Sequence, residues 1–429
     1  MTRSIYTLLL YILLPFTPIK LLLRGIKQPE YRQHWCERFG FYGATTSNAT
    51  KPVIWLHCVS VGETRAAEPL VKALLSRYPH HQILLSHTTP TGRATSEALF
   101  GSSIQRVYLP YDVPFAVKRF LNHFAPVIGV LLETELWFNL IAECKNRDLP
   151  LLLVNARMSE KSAIGYQKIT KLANEGLNYL TAIAAQTEQD AMRLRQLGAH
   201  NVCILGNLKF DVIPPDNAAK RGQELRELIG INRPVFLAAS TRANSDEGEE
   251  DLILQAISMA NIPNLLAIVV PRHPQRFNEV AALLAKHSLD FERKSTLNKA
   301  ILPTTKILLG DTMGEMFTYY AACDVAFIGG SLLPFGGQNL IEACTMGKPV
   351  LIGRHTYNFE QATELAIGTG AALRVEDTNH LSVTLNDLLD GTKVSSDKRE
   401  SMRKSALEFT QKETGATQRI VELLAIHLK

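Results

Sequence analysis

The sequence has few cysteines and no grouped metal ligands. Its 429 residues include six cysteines, which are scattered singly without a Cys-x-x-Cys pair. This spacing argues against zinc sites and disulfide frameworks, and it fits a reducing compartment. No Asp-x-Asp pair or histidine cluster occurs either. The sequence therefore predicts a function that needs no metal ion and no cofactor.

A strong net charge is also lacking. The formal charge is +5 and charged residues make up 20% of the chain, so the composition does not demand a nucleic-acid partner. The apolar content of 46% is typical of an ordered globular protein. A chain of this length exceeds one ordinary core, and two domains are expected.

The first residues differ from the rest of the chain. Residues 4–19 carry no charge and are rich in leucine, although Pro15 and Pro18 interrupt the run. A full span needs about 20 apolar residues. Basic residues just after such a segment stay on the cytoplasmic side and attract anionic lipid. We predict a retained membrane anchor over residues 1–23 that spans or dips into the bilayer; the alternative is a buried core helix. The basic residues are Arg24, Lys27, Arg32 and Arg38.

Apolar strands alternate with amphipathic helical patterns from Val53 onward, which predicts parallel sheets covered on both faces. Residues 211–219 contain Pro214-Pro215 and form the predicted linker. The expected α/β fold therefore has two Rossmann-like domains, residues 24–210 and 220–429, that face a cleft. The second domain ends in a helical tail over residues 397–429.

The glycine-rich stretch over residues 329–343 is the most informative motif. Gly329-Gly330-Ser331 follows an apolar run, and a helical pattern starts at about Asn339. Glycines permit a tight turn and close approach of the backbone to a ligand. A helix start offers free N–H groups to a phosphate, and Glu342 can accept hydrogen bonds from sugar hydroxyls. The alternative is an ordinary strand-to-helix connection.

Acidic and basic residues follow other predicted strands. Glu63 opens a helix after the first strand, and in a partly buried position it would act as a general base. Its alternative role is to complement the helix dipole. Glu133 and Glu135 would bind a metal or, as we favour, act without one; otherwise one caps a helix and the other is solvated. Lys209 at a strand end would neutralise a phosphate or a carboxylate, or it is a solvated surface lysine.

Prolines on both sides of Arg272-His273 fix the backbone, which suits phosphate recognition by Arg272. His273 is equally explained as a packed or capping histidine. Residues 310–315 and 88–93 form further flexible loops after predicted strands, and a base or ribose would rest on the former.

Taken together, these motifs resemble those of the 3-deoxy-D-manno-octulosonic acid (Kdo) transferases of Gram-negative lipopolysaccharide synthesis. The resemblance covers nearly the whole chain, and the motifs are specific in combination. The matching strings are the apolar N-terminus, Tyr31-Arg32, 39–42, 60–63, 88–92, 108–112, 133–137, 155–157, 206–211, 271–273, 310–315 and 339–342.

The resemblance implies a GT-B glycosyltransferase that uses CMP-Kdo, inverts at the anomeric carbon and needs no metal. The implied acceptor is the lipid A precursor at the cytoplasmic face of the inner membrane. Carried over by motif, Glu63 is the proton acceptor, and Glu133 and Lys209 stabilise the transition state. Phe138 departs from relatives that carry proline there, which affects a turn and leaves the acids in place. The implied CMP-binding residues are Arg272, His273, Met313, Gly314, Glu315, Asn339, Leu340, Ile341 and Glu342, and the acceptor-side loops contain Ser60, Gly62, Thr91 and Gly92.

Two other readings remain open at this point. One is a GT-B enzyme or sugar-nucleotide epimerase that uses a UDP-sugar, and CMP-versus-UDP binding would separate it. The other is a membrane-anchored binding protein without turnover, which the combination of Glu63, Glu133 and Lys209 argues against. The sequence leaves open the number of Kdo units transferred and the oligomeric state.

Overall fold

The structure is a computed structural model that describes residues 1–43, 51–244 and 247–428. Its contacts divide the chain into two compact α/β units. The first unit comprises Met1–Asp211 and Thr414–Lys429, and the second comprises Val212–Glu413.

The first unit contains a seven-stranded sheet in the order β3-β2-β1-β4-β5-β6-β7, with every adjacent pair parallel. Apolar side chains occupy both faces of its central strands, as expected for a parallel sheet that helices cover on both sides. The strands are β1 Val53–His57, β2 Gln82–His87, β3 Gln105–Tyr108, β4 Pro126–Leu132, β5 Leu151–Ala156, β6 Ala182–Ala185 and β7 Val202–Ile204.

The second unit repeats this design with the order β10-β11-β9-β8-β12-β13-β14, again parallel throughout. The carboxyl ends of neighbouring strands therefore meet at one edge of each sheet, where ligands of open α/β sheets bind. The strands are β8 Val235–Thr241, β9 Leu266–Pro271, β10 Phe291–Arg293, β11 Ile307–Leu309, β12 Val325–Ile328, β13 Val350–Ile352 and β14 Ala372–Arg374.

Helices connect the strands in both units. Those of the first unit are α1 Arg3–Leu13, α2 Thr17–Lys27, α3 Val61–Ala66, α4 Glu68–Arg77, α5 Pro90–Phe100, α6 Pro114–Phe124, α7 Phe138–Asn146, α8 Glu160–Gln167, α9 Thr170–Tyr179, α10 Glu188–Gln196 and, at the end of the chain, α19 Ala416–His427. Those of the second unit are α11 Ala218–Ile229, α12 Glu249–Met259, α13 Phe277–Lys286, α14 Met316–Ala322, α15 Ile341–Thr345, α16 Glu360–Gly368, α17 Thr378–Leu389 and α18 Lys393–Glu413.

The last helix corrects the predicted domain assignment. The sequence assigned residues 220–429 to the second domain, but α19 lies in the first unit. Ile420 and Leu424 are buried in the first unit's core, and the Asp211 carboxylate accepts hydrogen bonds from the backbone at the start of α19. The predicted helical tail is two helices interrupted at Gly415 (φ +97°), and its last residue, Lys429, lies outside the described residues.

The N-terminal segment is helical and exposed. Among the described residues, Arg3–Lys27 is the one helical stretch long and apolar enough to cross a membrane; its best window has a mean hydropathy of 1.8 and is 6% buried. This exposure excludes the alternative of a buried core helix. The exposed apolar side chains recur at helical spacing and form what we call the apolar stripe. It consists of Ile5, Leu8, Leu9, Ile12, Leu13, Phe16, Ile19, Leu22, Leu23 and Ile26.

The opposite face of α1 is bonded to the first unit. Tyr6 Oη donates to the Asp112 carboxylate at 2.9 Å, and Thr7 Oγ1 donates to the Asn139 side chain at 2.8 Å. The Tyr6 ring also meets Phe138 edge-on at 5.3 Å between centroids. The helix is therefore part of the unit's fold as well as an exposed surface.

Arg38 does not belong to the predicted basic group next to the membrane. It is buried, its guanidinium lies 4.1 Å from the Tyr108 ring centroid, and it donates to the Thr88 carbonyl at 3.0 Å. Arg38 therefore supports the loop after β2. Only Arg24, Lys27 and Arg32 of the predicted group are exposed.

Candidate active site

Glu63 lies in the first turn of α3, directly after β1. Its carboxylate accepts hydrogen bonds from the Val59 backbone N–H at 2.8 Å and from Ser60 Oγ at 3.0 Å. Ser60 Oγ in turn accepts from the Glu63 N–H, which completes a capping box. Glu63 thus has a structural role at the helix start, where the sequence offered only an interaction with the helix dipole as the alternative, and the capping box fixes the orientation of its side chain.

The Glu63 carboxyl group also has the burial and the pKa expected of a general base. The residue is only 7% exposed, and burial raises its pKa to about 7 despite the hydrogen bonds that oppose this shift. The nearby carboxylates of Glu133 and Glu135 raise the pKa further. A carboxyl group with a pKa near neutrality is suited to accept a proton from a substrate hydroxyl.

The loop after β2 packs directly against the loop of Glu63. Thr88 Oγ1 and Thr89 Oγ1 both donate to the Val59 carbonyl, at 3.2 and 3.0 Å. A Cβ atom at Gly92 would lie 3.4 Å from the backbone at Val59 and Ser60, so the two segments approach closely here. Ser60 and Gly92 thus lie together, and Gly62 and Thr91 are exposed in the first turns of α3 and α5.

Glu133 and Lys209 are brought together although they follow different strands. Lys209 Nζ lies 3.9 Å from Glu133 Oε1. Glu133 has a left-handed backbone with φ of +59°, an unfavourable conformation for a non-glycine residue that concentrates at functional sites. Lys209 is therefore paired, rather than the solvated lysine considered as its alternative.

Asn155, which was not predicted as a site residue, holds the turn that carries Lys209. It is buried, it also has a left-handed backbone (φ +53°), and its side-chain oxygen accepts from the Leu208 N–H at 3.0 Å. The end of β5 is thereby tied to the turn that carries Lys209. The string Asn155-Ala156-Arg157 signalled this loop, but the partner lies 53 residues away along the chain.

The sequence predicted that the backbone of the glycine-rich loop approaches a ligand, but its first N–H groups are bonded within the second unit. The buried Glu249 carboxylate accepts the N–H groups of Gly330, Ser331 and Leu332. A Cβ atom at Gly329 would lie 2.6 Å from the Ser240 carbonyl oxygen. The glycines therefore allow two loops of the protein to approach each other, and Glu249 fixes the loop between them.

The start of α15 is similarly occupied. Asn339 Oδ1 accepts from the Ile341 N–H at 3.0 Å, and Asn339 Nδ2 donates to Glu342 at 3.2 Å. Leu340 and Ile341 are fully buried, so their side chains belong to the core. Asn339 therefore engages the first N–H group of this five-residue helix, and Glu342 is half-buried beside it.

Arg272 and His273 leave the carboxyl end of β9 and are exposed. Burial and the positive charges of Arg242, Arg272 and Arg276 lower the pKa of His273, so this histidine is neutral near pH 7. Glu342 and Arg272 both act electrostatically on the buried Tyr320. The structure therefore places Arg272 and Glu342 in one neighbourhood.

Residues 313–315 follow β11 at the same sheet edge. Met313 is exposed, and Gly314 has a left-handed backbone (φ +76°) with open space where a Cβ atom would lie. The Glu315 carboxylate is occupied by Arg221 and Thr312. A ligand contact from Glu315 would therefore come from its backbone. Within the described ranges, no group of three or more His, Cys, Asp or Glu side chains is arranged to hold a metal ion.

Sequence comparison identifies the family. The family model of "3-Deoxy-D-manno-octulosonic-acid transferase (kdotransferase)" matches residues 33–212. The 3-deoxy-D-manno-octulosonic acid transferase of Bordetella pertussis is 41% identical over 99% of both chains. The chain belongs to the Kdo transferase family. The corresponding Haemophilus influenzae transferase is 38% identical over 100% of this chain and 99% of that protein. The protein is therefore a glycosyltransferase.

Solved structures agree with a GT-B-like fold for this Kdo transferase. Anabaena HepE in complex with UDP aligns over 87% of this chain and 99% of its own, with a TM-score of 0.57 and 15% identity. The UDP-GlcNAc 2-epimerase from Neisseria meningitidis aligns over the same shares, with a TM-score of 0.57 and 14% identity. At these identities the likeness concerns the fold alone.

Proposed function

We propose that the enzyme transfers Kdo from CMP-Kdo to the lipid A precursor lipid IVA, with inversion at the anomeric carbon and without a metal ion or cofactor. Membership of the family supports Kdo transfer. The observation that carries the mechanism is Glu63, a buried carboxyl group with a pKa of about 7 next to the pair of Glu133 and Lys209.

Glu63 acts as the general base. Its carboxylate takes the proton of the acceptor hydroxyl while the hydroxyl oxygen forms a bond to the anomeric carbon. The bond between that carbon and the phosphate oxygen breaks, and its electron pair leaves with CMP. General-base catalysis typically contributes about 10²–10⁴-fold. The Glu133 carboxylate stabilises the positive charge that develops on the sugar, and the Lys209 ammonium group stabilises the negative charge that develops in the transition state.

The second unit holds the nucleotide. Arg272 binds the phosphate, and its guanidinium stabilises the charge that CMP gains as it leaves. Glu342 accepts hydrogen bonds from the ribose hydroxyls. His273, the 313–315 loop and the remainder of the 339–342 segment complete the CMP-binding set, with Leu340 and Ile341 contributing through their backbone.

The apolar stripe attaches the enzyme to the cytoplasmic face of the inner membrane. Exposed contiguous apolar surface marks an interaction site, and the acceptor is itself a membrane lipid. Arg24, Lys27 and Arg32 are exposed at the end of the stripe, where each basic residue contributes about 1 kcal/mol of attraction to anionic lipid. The six cysteines are all unpaired, in keeping with the cytoplasm.

A binding and transfer experiment tests this proposal. Calorimetry should show tighter binding of CMP than of UMP, and CMP-Kdo with lipid IVA should give a product heavier by Kdo, as weighed by mass spectrometry. Activity should persist in the presence of EDTA. Preference for UMP would favour a UDP-sugar donor instead. A strict requirement for Mg²⁺ would make Glu133 and Glu135 the first candidates for metal ligands.

Glu135→Gln should shift the acid side of the pH–rate profile to lower pH. Burial raises the pKa of Glu135 itself to about 7, and its carboxylate contributes to the raised pKa of Glu63. Removing this charge should lower the Glu63 pKa, so that kcat/KM persists at lower pH. Glu143→Gln is the matched control, because Glu143 in α7 is paired with Arg147 just after the end of this helix. A profile that does not move would mean that Glu135 does not act on the base.

A further inference from the structure

Arg242 stands at the carboxyl end of β8 in a fixed backbone conformation. Its N–H donates to Glu249 Oε2 at 3.0 Å, and its carbonyl accepts from the Glu249 N–H at 3.0 Å. Ser240, two residues earlier, has a left-handed backbone with φ of +59°. Such a conformation costs of order 1–3 kcal/mol and is retained where the surrounding structure holds it. Glu249 therefore holds Arg242 and the glycine-rich loop in one arrangement.

The side chain of Arg242 lies along that loop. Its guanidinium carbon is 4.7 Å from the ring centroid of Phe335. Its Cδ atom lies 3.5 Å from the position that a Cβ atom would take at Gly330, and Gln338 Nε2 lies 3.0 Å from the same point. Any side chain at Gly330 would therefore enter the space that Arg242 and Gln338 share.

The Arg242 guanidinium has a donor that none of the described residues accepts from. Its Nε is buried and has no hydrogen-bond partner among the residues that the structure describes. A buried donor without a partner costs about 1–3 kcal/mol, and in a native structure it calls for an explanation. A ligand acceptor next to the loop would supply the missing bond.

Among the described residues, the two carboxylates at the start of α12 are bonded to groups other than the Arg242 guanidinium. Glu249 is occupied by backbone N–H groups, while Glu250 binds Arg276 through two hydrogen bonds of 2.7 and 3.0 Å. Among the positive charges that lower the pKa of His273, Arg242 has the largest effect and Arg272 the next largest. The Arg272 N–H also donates to the Thr241 carbonyl at 2.9 Å, which joins the two arginine loops. Arg242 and Arg272 therefore lie close to each other and to His273 at one edge of the sheet.

We propose that Arg242 binds an anionic group of the sugar-nucleotide donor, together with Arg272. This inference rests on the proposed function and adds a residue that neither the motifs nor the family comparison assigned. The planar guanidinium suits bidentate binding of a phosphate or a carboxylate, and Phe335 restricts its orientation. CMP-Kdo carries both groups, the phosphate on the nucleotide and the carboxylate on Kdo.

The test compares CMP with cytidine on the full-length chain. Arg242→Gln should weaken CMP binding by about 10- to 100-fold, the range for losing a hydrogen bond to a charged group. Cytidine affinity should not change, because cytidine lacks the phosphate. The CMP affinity of Arg242→Lys should fall between those of the parent and of Arg242→Gln, since lysine keeps the charge but lacks the planar, bidentate guanidinium group. Arg272→Ala serves as the positive control.

Lys286→Gln is the charge-matched control. Lys286 is exposed at the last residue of α13, which starts after the carboxyl end of β9 and returns to the opposite edge of the sheet. This variant should bind CMP like the parent. Thermal unfolding of every variant checks that the fold is intact.

The outcomes distinguish failure of the proposed donor from failure of the proposed role of Arg242. If the folded parent protein binds CMP no better than UMP, the proposed donor is wrong. If the parent prefers CMP and Arg242→Gln changes neither CMP affinity nor KM for CMP-Kdo, the role of Arg242 is wrong. Equal losses for CMP and cytidine would likewise overturn it, as a structural effect. A raised KM for CMP-Kdo with unchanged CMP affinity would assign Arg242 to the Kdo carboxylate, whereas weaker CMP binding assigns it to the phosphate.

Discussion

Replacing Glu63 with glutamine should lower turnover by at least about 100-fold while the protein stays folded. The amide cannot accept the proton of the acceptor hydroxyl. Glutamine is an accepted residue at this position of a capping box, so the bonds to Val59 and Ser60 have a replacement acceptor. The measurements are kcat on detergent-solubilised lipid acceptor, the thermal unfolding midpoint and CMP affinity by calorimetry.

Glu68→Gln provides the comparison for this variant. Glu68 begins the next helix, α4, and pairs with Lys72 at the surface, where an ion pair contributes about 0–1 kcal/mol. It should retain normal turnover. Near-normal turnover in a folded Glu63→Gln protein would remove Glu63 from the mechanism and return it to a capping role alone.

The pH dependence of the parent enzyme should report the same group. Only the carboxylate form of Glu63 accepts a proton, and its pKa is about 7. The value of kcat/KM should therefore fall about tenfold per pH unit below that pKa. Because burial raises this pKa above its ordinary value, protonating Glu63 does not destabilise the folded state. Loss of activity should thus precede any acid unfolding.

Periodicity was sufficient for most of the sheet architecture, and the exceptions have local causes. The strand Phe291–Arg293 was not predicted because it has three half-buried residues, two of them charged, at an edge of the sheet. The helical segment after β1 is divided into α3 and α4 at Ala67, before Pro69. Proline favours the first turn of a new helix, and this signal was present in the sequence.

The site is harder to read from sequence because its decisive contacts are distant along the chain. The capping box joins Ser60 and Glu63, which are only three residues apart. Glu249 binds backbone groups that lie 81–83 residues later, so no local pattern could show that the glycine-rich loop was already occupied. The same reason hid Arg242, whose neighbours Gly330 and Phe335 are brought near by the pairing of β8 with β12.

Removal of residues 1–23 should destabilise the first unit as well as detach the enzyme from membranes. The deletion removes the bond from Tyr6 to the buried Asp112, whose carboxylate also accepts the N–H groups of Asn139 and Leu140 at the start of α7. A hydrogen bond to a charged group contributes about 1.5–3 kcal/mol, and the contact of Tyr6 with Phe138 about 0.5–1.5 kcal/mol more. These two contacts together predict a loss of about 2–4.5 kcal/mol, measured by thermal unfolding. CMP affinity should not change, because the proposed nucleotide residues lie in the second unit.

Point variants separate the two roles of the helix. Tyr6→Phe removes only the hydroxyl and should lower the unfolding midpoint of the first unit by roughly 3–12 °C, with vesicle binding intact. Burial raises the pKa of Asp112 to about 6. The loss of stability in Tyr6→Phe should therefore be larger at pH 8, where Asp112 is ionised and the Tyr6 hydroxyl stabilises its charge, than at pH 5. Leu9→Gln with Leu13→Gln, at positions 46% and 57% exposed, should do the reverse and weaken flotation with anionic vesicles at unchanged stability. If Tyr6→Phe leaves stability unaltered, α1 is only an anchor, and the first unit does not depend on it.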